Sequence, residues 1–231
     1  MLRLRVQFPV TRYAIPALVL GSACTSDPGT GPGLVVLEAV AGEGQSGYVG
    51  ATLPNPLVVR AVDNTGESVP GVTVTWSVLS GGGTVTPLQA TTDANGMAAA
   101  SYRLGGELGE QSARAYAGTA VPVVFDVNAT VGPPASLTLV SGGNQSAKVN
   151  TTLPSDIVIR VKDAYNHLVA GAEVTFVVNT GGGTVTPTTA ISDANGIVRC
   201  DWTLGPNVGT QTMTAVIFAV QPITIQATGN P

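Results

Sequence analysis

The chain has 231 residues, room for one large domain or two ordinary ones, with 10% charged and 5% aromatic residues. Gly (29) and Pro (16) make up nearly a fifth of it, Val and Thr are frequent, and no Leu/Ala/Glu/Lys stretch recurs at 3.6-residue spacing, so disordered and helical classes give way to short strands between turns. The net charge is −4, and three of the ten basic residues (Arg3, Arg5, Arg12) lie in the first dozen positions; from Cys24 onward seven Lys/Arg face fourteen Asp/Glu with no basic cluster, which excludes nucleic acid as a partner.

Residues 1–23 read as an export signal. Arg3, Arg5 and Arg12 make a basic n-region, Ala14 to Gly21 a short apolar h-region, and Ser22-Ala23 supply small residues before Cys24. The apolar run is too short to span a bilayer, and no later stretch reaches that length. Leu20-Gly21-Ser22-Ala23-Cys24, uncharged for the eleven residues before the Cys, resembles the lipobox of bacterial lipoproteins, although Leu sits four rather than three residues ahead. That resemblance implies acylation of Cys24, a membrane partner through the lipid, and, since Thr25 is not Asp, an outer-membrane or cell-surface location. Thr25 to Gly33 is broken by Pro and Gly and has nothing apolar to bury, so 24–33 is expected to be a lipidated Cys and flexible tether.

The remainder is one unit written twice. A shift of 100 residues aligns Gln45 with Gln145, Asp63 with Asp163, Gly81–Pro87 with Gly181–Pro187, Asp93–Gly96 with Asp193–Gly196, and Gln111 with Gln211. Near the end Ala129 matches Ala227, a slip of two. The spacing predicts domains at 34–131 and 135–231, with 132–134 (Gly-Pro-Pro) as linker. Within each, alternation marks the strands. Leu57, Val59, Ala61 and their copies Ile157, Ile159, Val161 face inward; so do Val72, Val74, Trp76, Val78 with Ala172, Val174, Phe176, Val178. The third inward set is Ala98, Ala100, Tyr102, Leu104 with Val198, Cys200, Trp202, Leu204. About a hundred residues and some seven such strands per unit predict an all-β chain of two tandem immunoglobulin-like antiparallel β-sandwiches.

The runs from Val69 to Tyr102 (VPGVTVTWSV, GGGTVTP, TTDANGMAAASY) and from Val169 to Trp202 resemble the bacterial Ig-like repeats of the invasin/intimin type, group 1. The resemblance covers nearly all of 34–231. It implies repeats stacked on the bacterial surface; the family's N-terminal barrel and C-terminal lectin-like tip have no counterpart in this sequence.

Candidate site residues are few. Asp93, Asn95 and their copies Asp193, Asn195 could offer oxygens to a calcium ion, but the DANG motif suits a turn, with Asp and Asn bonding their own backbone and Gly taking positive φ. The glycine triplets lack the Lys-Ser/Thr of a phosphate loop and read as bends. Cys200 faces inward with no partner, since Cys24 is lipidated and strand 157–163, expected across from it, has no Cys; it should be a small buried hydrophobe. His167, the single histidine, occupies the turn position of Glu67 and is expected to be solvated. One histidine gives neither a Ser/His/Asp set nor a two-His metal spacing. Trp76, Tyr102, Phe176 and Trp202 point inward, leaving Tyr48, Tyr116, Tyr165 and Phe218 exposed without forming a repeated platform.

These observations predict a protein that is not an enzyme, needs no cofactor and holds no metal. It is expected to be a lipid-anchored stalk or interaction module whose two domains are interchangeable. The alternative is an adhesin or carbohydrate-binding module, with a protein or glycan ligand on distal-domain loops around Asn144, Tyr165 or Asn207.

Overall fold

The computed structural model describes residues 35–231. The export signal 1–23, Cys24 and the tether lie outside the described residues. Residues 33–231 form one compact unit, and no α-helix occurs among the described residues.

The first nine strands are β1 (Val36–Ala41), β2 (Ser46–Tyr48), β3 (Leu57–Val62), β4 (Thr73–Ser80), β5 (Thr84–Thr86), β6 (Gln89–Thr91), β7 (Met97–Arg103), β8 (Gly109–Tyr116) and β9 (Val123–Thr130). They make a four-stranded sheet ordered β1-β3-β7-β5 and a five-stranded sheet ordered β2-β9-β8-β4-β6. The next nine repeat them: β10 (Ser136–Ser141), β11 (Gln145–Lys148), β12 (Ile157–Lys162), β13 (Glu173–Val178), β14 (Thr184–Thr186), β15 (Thr189–Ile191), β16 (Ile197–Thr203), β17 (Gly209–Val216) and β18 (Ile223–Asn230). Their sheets run β10-β12-β16-β14 and β11-β18-β17-β13-β15. The fold is the all-β, tandem immunoglobulin-like one that the alternation indicates. Pairing is antiparallel except for β2 with β9 and β11 with β18, which are parallel. The exception follows from the chain crossing between sheets: β1 and β2 run on in one direction, but each pairs in a different sheet.

Each unit closes on its own core, and the inward sets are the predicted ones. Leu57, Val59, Ala61, Val74, Trp76 and Tyr102 are buried in the first, Ile157, Ile159, Val161, Val174, Phe176 and Trp202 in the second. The indole changes strands between repeats, from β4 opposite Tyr102 to β16 opposite Phe176, so the core keeps its bulk while its pieces are exchanged. In the first unit Trp76 also meets Phe125, ring centroids 5.9 Å apart.

The two-residue slip near the end is not present. Gly109 pairs with Ala129 and Gly209 with Gly229, so Ala129 corresponds to Gly229, and Ala227 to Val127. A shift of two keeps every side chain on its own face, so alternation alone cannot detect the error, and the two alanines made a false match.

Two polar ties recur where loops would otherwise leave backbone groups buried and unpaired. Gln111 and Gln211 are fully buried. Gln111 Oε1 accepts from Gly105 N (2.8 Å) and its Nε2 donates to Glu107 O (2.6 Å). Gln211 does the same with Gly205 N (2.8 Å) and Asn207 O (2.7 Å). The glycine triplets serve this centre as well as bending the chain. A Cβ on Gly81 would overlap the Gln111 side chain, and one on Gly105 would overlap the Gly81 carbonyl. Gln45 and Gln145 pin the bend between the first two strands of each unit. Gln45 bonds Gly42 O and both backbone groups of Asn55, and Gln145 bonds Gly142 O and both of Ser155. Gln211→Ala should therefore strand buried loop groups and lower stability by about 2–4 kcal/mol in urea denaturation, whereas truncating an exposed residue such as Gln226 should cost a small fraction of that.

Candidate functional site

The predicted site residues do not come together. In each DANG turn the Asp carboxylate is occupied locally: Asp93 Oδ1 accepts from Asn95 N (2.8 Å) and Met97 N (2.9 Å), and Asp193 Oδ1 from Asn195 N and Ile197 N at the same distances. The Ile197 and Asn195 N–H groups and nearby Arg199 outweigh partial desolvation and hold the Asp193 carboxyl below its usual range. Among the described residues no three His, Cys, Asp or Glu side chains group as metal ligands would.

Cys200 is a buried free thiol facing Ile157 across the β12–β16 ladder. Strand 157–162 is thus its neighbour in the same sheet, not a strand of the opposite one as expected. Burial, then the carboxylates of Asp201 and Asp156, push the thiol up to about 12, so it stays protonated and inert. Of the aromatics expected outside, Tyr48, Tyr165 and Phe218 are exposed. Tyr116 is half-buried, with the Arg114 guanidinium 5.3 Å from its ring centroid.

His167 departs furthest from expectation, while Tyr165 is exposed as expected (38%) but has its ring against the first sandwich. His167 is not a solvated turn residue: its side chain is 22% exposed, and its Nδ1 lies 3.0 Å from Asp163 Oδ2. Asp163 itself is buried, in the turn that follows β12. Its Oδ1 accepts from Tyr165 N (2.8 Å) and His167 N (2.9 Å), as Asp63 Oδ1 accepts from Thr65 N and Glu67 N in the first unit. Its Oδ2 accepts from Gly132 N at 3.0 Å, a bond with no counterpart to Asp63 among the described residues. Burial pushes the Asp163 carboxyl up, but hydrogen bonds from Gly132, from the backbone and ring of His167, and from Tyr165 outweigh it and hold the group below the ordinary carboxylate range.

Gly132 opens the connector, and the connector is fastened along its length. Val131 packs on the core of the second sandwich, Gly132 is buried, and Ala135 N donates to Lys162 O (2.8 Å). Pro133-Pro134 supply stiffness, as the sequence suggests, but the fastening comes from these contacts.

Tyr165 makes the other half of the joint. Its ring lies against two glycines of the first sandwich. A Cβ on Gly50 would fall 2.6 Å from Tyr165 Cε2, and one on Gly106 would fall 2.6 Å from Cδ1. Tyr165 therefore sits at the joint with the first sandwich and remains 38% exposed. The loops at Asn144 and Asn207 belong to other parts of the second sandwich. The repeat alignment did signal Asp163 through its copy Asp63, but not its bond to the connector. Nothing in the sequence marked Gly50 and Gly106 as a receiving surface.

Residues 52–104 match the family model of the bacterial Ig-like domain (group 1). No curated protein sequence matches the chain. Among solved structures, an Escherichia coli adhesin, FdeC, is similar at 21% identity with TM-score 0.54, over 84% of this chain and 64% of that one. The D0-D1 domain of intimin is similar at 20% identity (TM-score 0.31, 84% and 96%), and invasin, a bacterial integrin-binding protein, at 21% (TM-score 0.39, 86% and 40%). The chain thus spans less than two thirds of the E. coli adhesin structure. At such identities the likeness is one of fold.

The Asp163 carboxylate gives the second sandwich an acid-sensitive anchor. Its folded value lies below the ordinary 3.8, so its stabilisation is complete above that pH and is lost as pH falls through the folded value. Asp163→Asn should lower the melting temperature at pH 7, by the equivalent of about 1–3 kcal/mol, and make its decline below pH 4 shallower than in the unaltered protein. Parallel curves for the two would show that Asp163 carries no such linkage.

Proposed function

We propose, from a segment matched to the bacterial Ig-like domain and a sequence that begins like a lipoprotein, that this protein is a non-catalytic surface spacer anchored through lipid on Cys24. The observation that carries this reading is how the two repeats use their shared residues. Among the polar positions they hold in common, Gln45 and Gln145, Asp63 and Asp163, and Gln111 and Gln211 tie backbone of their own sandwich or its connector. Several outward positions diverge, with Arg103 where Thr203 stands, Gly118 where the exposed Phe218 stands, and the exposed Glu67 where the half-buried His167 stands, while Arg60 and Arg160 and the exposed Thr84 and Thr184 are repeated. A surface that bound one ligand in both copies would repeat its exposed side chains instead. What the repetition keeps is the sandwich and its attachments, which is what a spacer requires.

The domains are not interchangeable in this reading. The first carries three Lys/Arg against eight Asp/Glu and the second four against five, and the joint uses different residues on its two sides. An acidic unit nearest the lipid is repelled by an anionic membrane surface, which helps to hold the pair away from it.

A second reading, an adhesin, draws on the loops of the second sandwich around Asn150 and Asn207. Asn150 N donates to Gly205 O, which brings these loops together, and the neighbouring Val208 is 63% exposed. The E. coli structural neighbour is itself an adhesin.

Two measurements separate these readings. Cys24→Ser should abolish palmitate labelling and release the protein from the membrane fraction; labelling that survives would refute the anchor. Soluble protein from residue 34 onward should show no saturable binding across glycan and matrix-protein arrays. Micromolar or tighter binding that Asn207→Ala or Val208→Asp removes would establish the adhesin.

A further inference from the structure

Gly50 and Gly106 pose a question that their own sandwich does not answer. Gly50 sits at φ +72, where glycine is favoured, but its counterpart Asn150 adopts φ 62 in the same loop. The hydrogen bond that shapes the loop is kept as well: Gly50 N to Gly105 O at 3.1 Å, Asn150 N to Gly205 O at 3.3 Å. Gly106 is replaced by Pro206, and the bonds from the buried glutamine to the residues on either side are kept in both repeats. The fold therefore accepts a side chain at both positions. What Gly50 and Gly106 share is the Tyr165 ring, which covers both, and a Cβ on either would displace it.

The donor side is equally one-sided. The residue in the first sandwich corresponding to Tyr165 is Thr65, whose hydroxyl turns back to Asp63 Oδ1 (2.6 Å). Glu67 replaces His167. Asp63 makes its turn without accepting from a connector among the described residues, whereas Asp163 takes Gly132.

We propose that Gly50 and Gly106 form a slot that specifies its partner: it receives a sandwich whose first long turn carries an aromatic ring at the Tyr165 position, held by the Asp163–Gly132 clamp. The matching surface of the second sandwich is closed by Asn150 and Pro206 and does not receive another unit of this kind. The side chains thus set the order of the two domains and end the stack after the second. This assignment concerns the coupling itself and stands whether the pair serves as a spacer or as an adhesin.

The fold supplies its own test substitutions, since each residue needed already occupies the corresponding position of the other repeat. In 33–231, which is one compact unit, Gly50→Asn, Gly106→Pro and Tyr165→Thr should each leave both cores intact by amide chemical shifts. Each should nonetheless give the two sandwiches separate, shorter rotational correlation times in 15N relaxation. Hydrogen exchange at Gly132 N–H should rise at least about tenfold as the clamp opens. Asn150→Gly combined with Pro206→Gly should change neither quantity. The proposal is overturned if the slot substitutions leave a common correlation time and unchanged Gly132 exchange. Unfolding of the first sandwich by Gly50→Asn would overturn it too, because Gly50 would then serve its own loop rather than the slot.

Discussion

A carboxylate buried in a protein must be surrounded by donors, or folding would protonate or expel it. At Asp163 the donors come from two directions. Tyr165 and His167 belong to the turn that the aspartate itself organises, and Gly132 belongs to the connector arriving from the first sandwich. One oxygen shapes the turn and the other captures the incoming chain. The turn then presents Tyr165 to Gly50 and Gly106, so local hydrogen bonding within one domain positions the ring that reaches the other. Much of what distinguishes this pair from two beads on a string depends on that arrangement.

The comparison with Asp63 shows how little sequence change produces it. The same residue in the same turn of the first sandwich, followed by Thr65 and Glu67, accepts from these two residues through one oxygen. Tyr and His in their places, two glycines opposite and a glycine in the connector convert a turn into a joint. Each change is small, and none touches the cores, where Trp76 with Tyr102 and Phe176 with Trp202 accomplish the same filling by different means. Repeats can therefore diverge at their ends while their interiors stay equivalent.

The fold is largely legible in the sequence, because inward residues alternate along the strands and the alternation is written twice. Leu57-Val59-Ala61 and Ile157-Ile159-Val161 could hardly lie otherwise. The parallel pairs β2–β9 and β11–β18 were not legible, since a three- or four-residue strand crossing between sheets has no signature that separates parallel from antiparallel. His167 was misplaced, and the contact of Tyr165 missed, for a related reason. A polar turn beside Gly171 looks solvated from its sequence, which does not show that the His167 ring will meet the buried Asp163 carboxylate or that Tyr165 will meet glycines a hundred or so residues away. Gln111 and Gln211 were visible as a repeated pair, but a glutamine in an alternating strand gives no sign that it will bind loop backbone and not water.

The central claim is that joint contacts, and not the Gly-Pro-Pro connector alone, make the two sandwiches move as one. Residual dipolar couplings measured on the backbone amides of 33–231 in a dilute aligned medium test it directly. A single alignment tensor, with one magnitude and orientation, should fit the amides of both sandwiches together. Two tensors of clearly different magnitude, one for each sandwich, would contradict the claim and leave the proline connector as a hinge.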